Sequence, residues 1–523
     1  MDLSGAKLKN FFHKNIISIL SIIFISTIVI FLNSFPNWLA MKQTPEGMSF
    51  TGQASWFDPW DINVYVSAIS WGQHHSFLLE NTYTSQPNHP IFYYPVYTTI
   101  GMVFPKTNPF FLFHAFASAI TFLLVGTLAF STKKILDRRK DSLIAVLIMS
   151  LGGGLGFLIH IGQDSIDATM TSITLHSAFQ RAHEGVALSA FFLALFGFYF
   201  WLEKKQIRWQ IAAQISLVIS LIFYPYNIAI YFLTTGIYLW ITYGQLSFKN
   251  REWQTWILTI FLGITAVLGM ALNLGENSSF SSVVSQSLSH PSILSFIFGY
   301  GLILILFIYQ LIFIKNKTRI QTFLSIWVLC SFSLSLIPIG LSRFFLRGLY
   351  VPLALLAVFT VRYLSQRYFP KERVAAKNLL LGNLLLLVSM TSIQIFTERI
   401  KDIKNENPWY YMSNSERSTL NFIRDELPPD STILTFYYMG NQIPANTNSR
   451  VYFGHLLQTP KAEEKQEKIN QFYSGEMSEE EAKKFLVDNN IQYVYAGREE
   501  GEVNYPFLKS VFKNDAVNLY EIN

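Results

Sequence analysis

The sequence predicts a mainly α-helical, polytopic membrane protein. It should comprise about eleven transmembrane helices, surface helices in a large first outer loop, and a small external α/β domain at the C-terminus. Three observations predict this. Only 14% of the 523 residues are charged while 51% are hydrophobic, against roughly 25% charged in a soluble domain. The missing charge lies in windows of about 20 apolar residues with charged flanks, the length needed to cross a bilayer core of about 30 Å. Beyond about Glu398 the composition becomes that of a soluble domain.

The first apolar run, Ile16 to Leu32, is longer than a signal-peptide core and lacks a small-residue cleavage site. It therefore reads as a retained span, at 15–33. Further spans are expected at 109–131, 142–160, 184–202, 208–224, 226–243, 254–273, 293–314, 321–340, 344–364 and 377–396. Pro225 in "FYPYN" breaks the fifth from the sixth and makes them a hairpin. "GGGLG", Gly152 to Gly156, lies within the third expected span and lacks the Gly-Lys-Ser/Thr ending of a phosphate loop. It reads as a close helix-packing surface.

Basic residues orient the chain. Lys7, Lys9 and Lys14, the run from Lys133 to Lys140, Lys204, Lys205, Arg208, Lys249, Arg251, Lys315, Lys317, Arg319, Arg367, Lys371, Arg373 and Lys377 all fall on one side. The opposite loops hold only Lys42, Lys106, Arg181, Arg343 and Arg347. A bias of about fourfold makes the first side cytoplasmic. The protein is thus expected in the plasma (inner) membrane as a multi-pass chain. Its N-terminus would be cytoplasmic and its tail extracytoplasmic.

Two domains follow: a transmembrane domain over 1–397, with its first outer loop at about 34–108, and a soluble α/β domain over 398–523. In the outer loop, Phe57–Gly72 and "IFYYPVYTTIGMVF" read as short helices at the membrane surface, where aromatic residues favour the interface. In the tail, "SERSTLNFIRDEL", "AEEKQEKINQFY" and "SEEEAKKFLVDN" have helical patterns. The strand-like runs are "STILTFYY", "IQYVYAG" and "AVNLYEI".

The formal net charge of +6 is the ordinary basic excess of cytoplasmic loops. Its scatter over many short loops argues against nucleic-acid binding; the expected surroundings are membrane lipids. The single cysteine, Cys330, permits neither an internal disulfide nor a cysteine-based metal site. No acidic or basic residue lies near the middle of any expected span, where an ion-coupled transporter would need one. Polar residues gather at outer helix ends and loops, which suits a site facing outward.

Three groups could carry chemistry there. In "FDPWDINVYVSAISWGQ", Asp58 precedes Pro59 where a helix cap belongs. Asp61 falls inside the helix on the same face as Tyr65. A carboxylate among Trp56, Trp60 and Tyr65 is partly desolvated, which suits a general base. The outer loop "QDSIDATMTSITLHSAFQRAHEG" holds Asp164, Asp167, His176, Arg181, His183 and Glu184. It could meet substrate or a divalent metal, although its spacing matches no strong metal motif. Against that, Glu184 suits a helix N-terminus. Finally, Arg343 and Arg347 in "RFFLRGLYVPLALLAV" are four apart, on one helix face. They could snorkel, or clamp a phosphate diester at headgroup depth.

The layout resembles the GT-C superfamily of polytopic membrane glycosyltransferases, especially bacterial members related to protein mannosyltransferases and aminoarabinose transferases. Locally the resemblance rests on "DINVYVSAISWGQ…LLENTYTSQPNHPIFYYPVY", "RFFLRGLYVPLALLAV" and "GNQIPANTNSRVYFGHLLQT". It implies a membrane enzyme that transfers a sugar from a polyprenyl-phosphate donor to a glycan, lipid or protein acceptor. By position Asp61, then Asp58, matches the family's catalytic acid, and Arg343, with Arg347, matches a donor-phosphate ligand. Tyr65, His183 and Glu184 are further substrate-binding candidates, and a divalent metal is the candidate cofactor. The first outer loop lacks the adjacent Asp-Glu of protein mannosyltransferases, and the Trp-Trp-Asp motif of oligosaccharyltransferases is absent. From the residues alone, a lipid or glycolipid flippase and a non-catalytic envelope scaffold are the alternatives.

Overall fold

The computed structural model describes residues 3–158, 166–275, 278–280 and 292–523. The chain divides into two compact units. One comprises Met1–Phe35, Phe116–Leu268 and Ser287–Glu398, and the other Pro36–Ala115, Gly269–Gln286 and Arg399–Asn523.

The first unit is helical. Of the eleven apolar runs, seven lie in helices long and apolar enough to cross a membrane: Ser18–Lys42, Pro109–Ile135, Ala182–Lys204, Arg251–Gly275, Ile293–Phe313, Ser342–Tyr368 and Arg373–Lys404. The other four form shorter helices, Arg139–Leu151, Ile207–Phe223, Asn227–Tyr243 and Arg319–Ser335. Helix length thus supports seven spans and does not establish eleven. These long apolar helices mark a membrane-embedded protein.

Burial follows the pattern of side chains. Ala182–Lys204 is apolar on every face and 89% of its apolar window is buried, as a central helix must be. Phe191, Phe192 and Phe196 on it surround Trp327 with ring centroids 5.8–6.1 Å apart. Arg251–Gly275, by contrast, has only 17% of its window buried. Asp141 is fully buried and accepts hydrogen bonds from Arg362 Nε and Lys377 Nζ, each at 2.6 Å, tying three helices together.

The glycine run packs closely, as expected, but not as helix. The helix ends at Leu151 and Gly152 is extended. Gly153 N–H then donates to Val388 O and Gly154 N–H to Asp167 Oδ2, at 2.9 and 2.7 Å. A Cβ on Gly154 would lie 2.0 Å from Phe298 O, so no larger residue fits.

In the second unit the tail forms a five-stranded sheet in the order Arg450–Val451, Thr432–Leu434, Tyr493–Ala496, Asn518–Ile522, Leu508–Lys513. The first three strands are parallel and the last two close as an antiparallel hairpin. Helices Asn414–Glu426, Ala462–Tyr473 and Glu479–Asp488 form where the patterns place them. Ser413 with Glu416 and Ser478 with Glu481 make capping boxes that start two of them. The run "STILTFYY" is strand only at Thr432–Leu434, and Tyr437 begins another helix, Tyr437–Asn446.

The first loop belongs to this same unit. Met48–Phe50 pairs antiparallel with Tyr411–Ser413. Both expected loop helices form, as Pro59–His74 and Pro95–Val103. Pro59–His74 is not a helix with one face on a surface: 12 of its residues are buried. Val64 and Tyr83 share one core with Ile433, Ile443, Val451 and Tyr495.

Candidate active site

Asp61 occupies the first turn of Pro59–His74, where the helix dipole favours a carboxylate. Asp58 stands at the N-cap, but in the left-handed region (φ 41°, ψ 69°), and its side chain makes no capping hydrogen bond. The turn is closed instead by the backbone, Asp61 N–H donating to Asp58 O at 2.9 Å.

The Asp61 side chain is 23% exposed. Its Oδ1 lies 2.8 Å from His455 Nε2, and Tyr65 OH donates to Oδ2 at a long 3.4 Å. Tyr65 is fixed by rings, stacked on Tyr97 at 5.2 Å and edge-on to Tyr94 at 5.3 Å. Tyr93 OH donates to Tyr94 OH at 3.1 Å. Burial pushes the Tyr93 phenol up to about 12 and those of Tyr83, Tyr94 and Tyr437 well up, with the Asp61 charge adding to each. These phenols are therefore neutral donors at ordinary pH. Trp60 meets Trp409 edge-on at 5.8 Å, supplying aromatic surface near the start of the helix.

His455 comes from the tail. Its loop sits against Tyr437–Asn446 because two glycines allow it: a Cβ on Gly454 would lie 2.5 Å from Gly440 O. The turn after it is closed by Gln458 N–H and Thr459 N–H, both donating to His455 O, at 3.0 and 2.8 Å. His455 is 3% exposed.

The other group lies in the first unit. Glu184, in the first turn of Ala182–Lys204, is 1% exposed. Ser177 Oγ donates to its Oε2 at 2.8 Å, and Arg181 Nη1 to its Oε1 at 3.4 Å. Arg347 Nη2 lies 3.8 Å from the same Oε1. Arg347 Nη1 donates to Tyr226 OH at 3.0 Å, and the guanidinium carbon sits 4.4 and 4.3 Å from the ring centroids of Tyr224 and Phe344. His183 is buried, its ring edge-on to Tyr224 at 6.3 Å.

Arg343 and Arg347 do not share a helix face, contrary to their spacing. Ser342–Leu346 is a 3₁₀ turn, Arg347 is extended beyond it, and Gly348 turns left-handed (φ 79°) before the helix starts at Tyr350. Arg343 is half-buried at one end of this turn, and Arg347 is buried at the other.

Among the described residues, no three His, Cys, Asp or Glu side chains group so as to hold a metal ion. Of the loop considered for one, Asp167 accepts from Gly154 N–H and from Thr391 Oγ1 at 2.5 Å, and Glu184 is held by arginines. Asp164 lies outside the described residues.

No protein-family profile and no curated protein matches the sequence. Solved structures do match in fold. The oligosaccharyltransferase of Archaeoglobus fulgidus, tethered with an acceptor peptide, superposes with a TM-score of 0.56 at 11% identity, over 92% of this chain and 69% of that one. ArnT from Cupriavidus metallidurans, bound to undecaprenyl phosphate, superposes with a TM-score of 0.52 at 10% identity, over 96% of this chain and 97% of that one. The chain shares the fold of these two proteins.

On this fold the residues expected from the sequence fall into two groups. Asp58, Asp61 and Tyr65 lie together in one unit, and His183, Glu184, Arg343 and Arg347 in the other. Two participants were not expected. Tyr226, in the "FYPYN" break, receives the Arg347 hydrogen bond. His455 is 394 residues from its partner Asp61, and only the "FGHLLQT" segment, quoted for family likeness, held a trace of it.

Proposed function

We propose that the chain is an inverting membrane glycosyltransferase. It moves a sugar from a polyprenyl-phosphate donor to an acceptor hydroxyl on the outer face of the membrane. The observation that carries this reading is Asp61: a partly exposed carboxylate at a helix N-terminus, beside an imidazole, a phenol and aromatic rings, in a chain with the fold of these glycosyl-transfer proteins. The solved neighbours support the lipid-linked donor, since one is bound to undecaprenyl phosphate and another is in complex with a dolichol-phosphate.

In this reading Asp61 takes the proton of the acceptor hydroxyl. The acceptor oxygen bonds to the anomeric carbon as the bond from that carbon to the phosphate oxygen breaks. The polyprenyl phosphate leaves with the electron pair. Arg343 binds its negative charge, and Arg347 shapes the same turn. Trp60 and Trp409 offer faces for sugar rings. The excess of basic residues in the opposite loops supports an outward-facing reaction.

The test is transfer by purified full-length protein in liposomes, with undecaprenyl-phosphate mannose and undecaprenyl-phosphate glucose as probes. Release of undecaprenyl phosphate, lost in Asp61→Asn, supports the proposal. Movement of the labelled lipids between leaflets without release overturns it in favour of a flippase.

A further inference from the structure

We infer that His455 is a positioning residue for Asp61, held as the neutral Nε2–H tautomer, so that the tail completes the catalytic group of the loop. This rests on the reading of Asp61 as base.

The geometry fixes the proton. Leu457 N–H donates to His455 Nδ1 at 3.2 Å. A backbone amide can only donate, so Nδ1 carries no proton, and the neutral ring's one N–H is on Nε2. That nitrogen lies 2.8 Å from Asp61 Oδ1. His455 Nε2–H therefore donates to the carboxylate. The ring is 3% exposed and lies edge-on to Tyr83 at 6.2 Å. The Gly440–Gly454 contact and the turn closed on His455 O hold its backbone.

Two consequences follow. Oδ1 is committed to the imidazole, so the proton from the acceptor goes to Oδ2, the oxygen that Tyr65 also approaches. A neutral ring orients Asp61 without neutralising it, whereas an imidazolium would stabilise the carboxylate and weaken it as a base. His455 gives up no proton during transfer. It aims the carboxylate, as second-shell donors aim a metal-bound ligand.

The test uses full-length protein and two readouts. Solid-state nitrogen spectra of histidine-labelled protein, with His455 assigned by its loss in His455→Gln, should show one protonated nitrogen, Nε2. Its shift should move in Asp61→Asn. A ring protonated on Nδ1, or on both nitrogens at neutral pH, overturns the inference. With undecaprenyl-phosphate mannose or glucose, whichever is turned over, His455→Ala should lower kcat about 10–100-fold with KM for the donor within about threefold, the scale of misplacing a catalytic group. His455→Gln, whose amide can still donate to Oδ1, should recover most of the loss. Glutamine as inactive as alanine, in folded protein, would mean the ring itself moves a proton. Wild-type transfer by His455→Ala beside an inactive Asp61→Asn overturns the positioning role alone. Full transfer by Asp61→Asn overturns the base assignment on which it rests.

Discussion

Asp61 and Glu184 are both acids in the first turn of a helix, and both came from the sequence as candidates for substrate contact. The structure gives them opposite surroundings. Glu184 is 2% exposed at its side chain and lies within 4 Å of two guanidiniums. Asp61 is 23% exposed, with an imidazole nitrogen 2.8 Å from one carboxylate oxygen and a phenol 3.4 Å from the other. A carboxylate between two arginines is a counter-ion: its charge is committed to holding them in place. One that is partly exposed keeps a route to solvent, as a base requires. Position at a helix N-terminus does not separate these roles; burial does.

The sharpest break of the comparison is the isosteric removal of one charge. Asp61→Asn keeps size and hydrogen bonding but cannot take a proton. Transfer should fall about 10²–10⁴-fold while the protein folds and binds donor normally. Purified variants assayed with undecaprenyl-phosphate sugars check this. Unchanged transfer would remove Asp61 from the chemistry.

The matching change on the other side should strike folding. Glu184→Ala leaves Arg181 and Arg347 buried without their shared counter-ion. It should cost about 3–5 kcal/mol, the scale for breaking a buried ion pair from one side. Denaturation of the detergent-solubilised protein reads this directly. A variant as stable as wild type would show that the arginines are compensated elsewhere, and Glu184 would again be a substrate contact.

The difference between the two acids was not legible in the sequence, and the reason is range. What depends on neighbours in the chain could be read. The length of apolar runs placed the long helices, and the helical patterns "SERSTLNFIRDEL" and "SEEEAKKFLVDN" placed two tail helices. What depends on distant chain could not. His455 reaches Asp61 only because the tail sheet and the loop helix share one core. Tyr437–Asn446 hid within a strand-like aromatic run, with Pro444 inside the helix as a further mask. Arg343 and Arg347 were misplaced by a local event: periodicity assumes a helix throughout, and Gly348 interrupts it.

That interruption yields a smaller effect. Arg347 is held by Glu184, Tyr226 and two rings, whereas Arg343 is half-buried at the other end of the turn. Arg343→Ala should weaken binding of undecaprenyl phosphate by about 1.5–3 kcal/mol, the scale of a hydrogen bond to a charged group. Lysine should rescue only partly, since it cannot form a bidentate fork. Titration of purified protein with the lipid measures both. Full affinity in the alanine variant would reduce Arg343 to an anchor at the membrane interface.

The smallest effect is expected at Asp58, three residues from the largest. Were Asp58 a side-chain cap, replacing it by alanine would cost about 1 kcal/mol through a lost hydrogen bond. The structure gives a different reason for its presence. Its backbone is left-handed at φ 41° and it does not cap, so the position selects residues that tolerate that conformation. Asparagine tolerates it as well as aspartate does, while a β-branched residue does not. Asp58→Asn should therefore keep stability within about 0.5 kcal/mol, the range of a surface change without special features, and transfer within a few-fold. Asp58→Val should lose about 1–3 kcal/mol, the strain of a disfavoured backbone conformation. Denaturation midpoints and transfer rates of both variants decide it. If Asp58→Asn abolishes transfer while Asp61→Asn spares it, the two acids exchange roles, and the base is the residue that starts the helix rather than the one the helix presents.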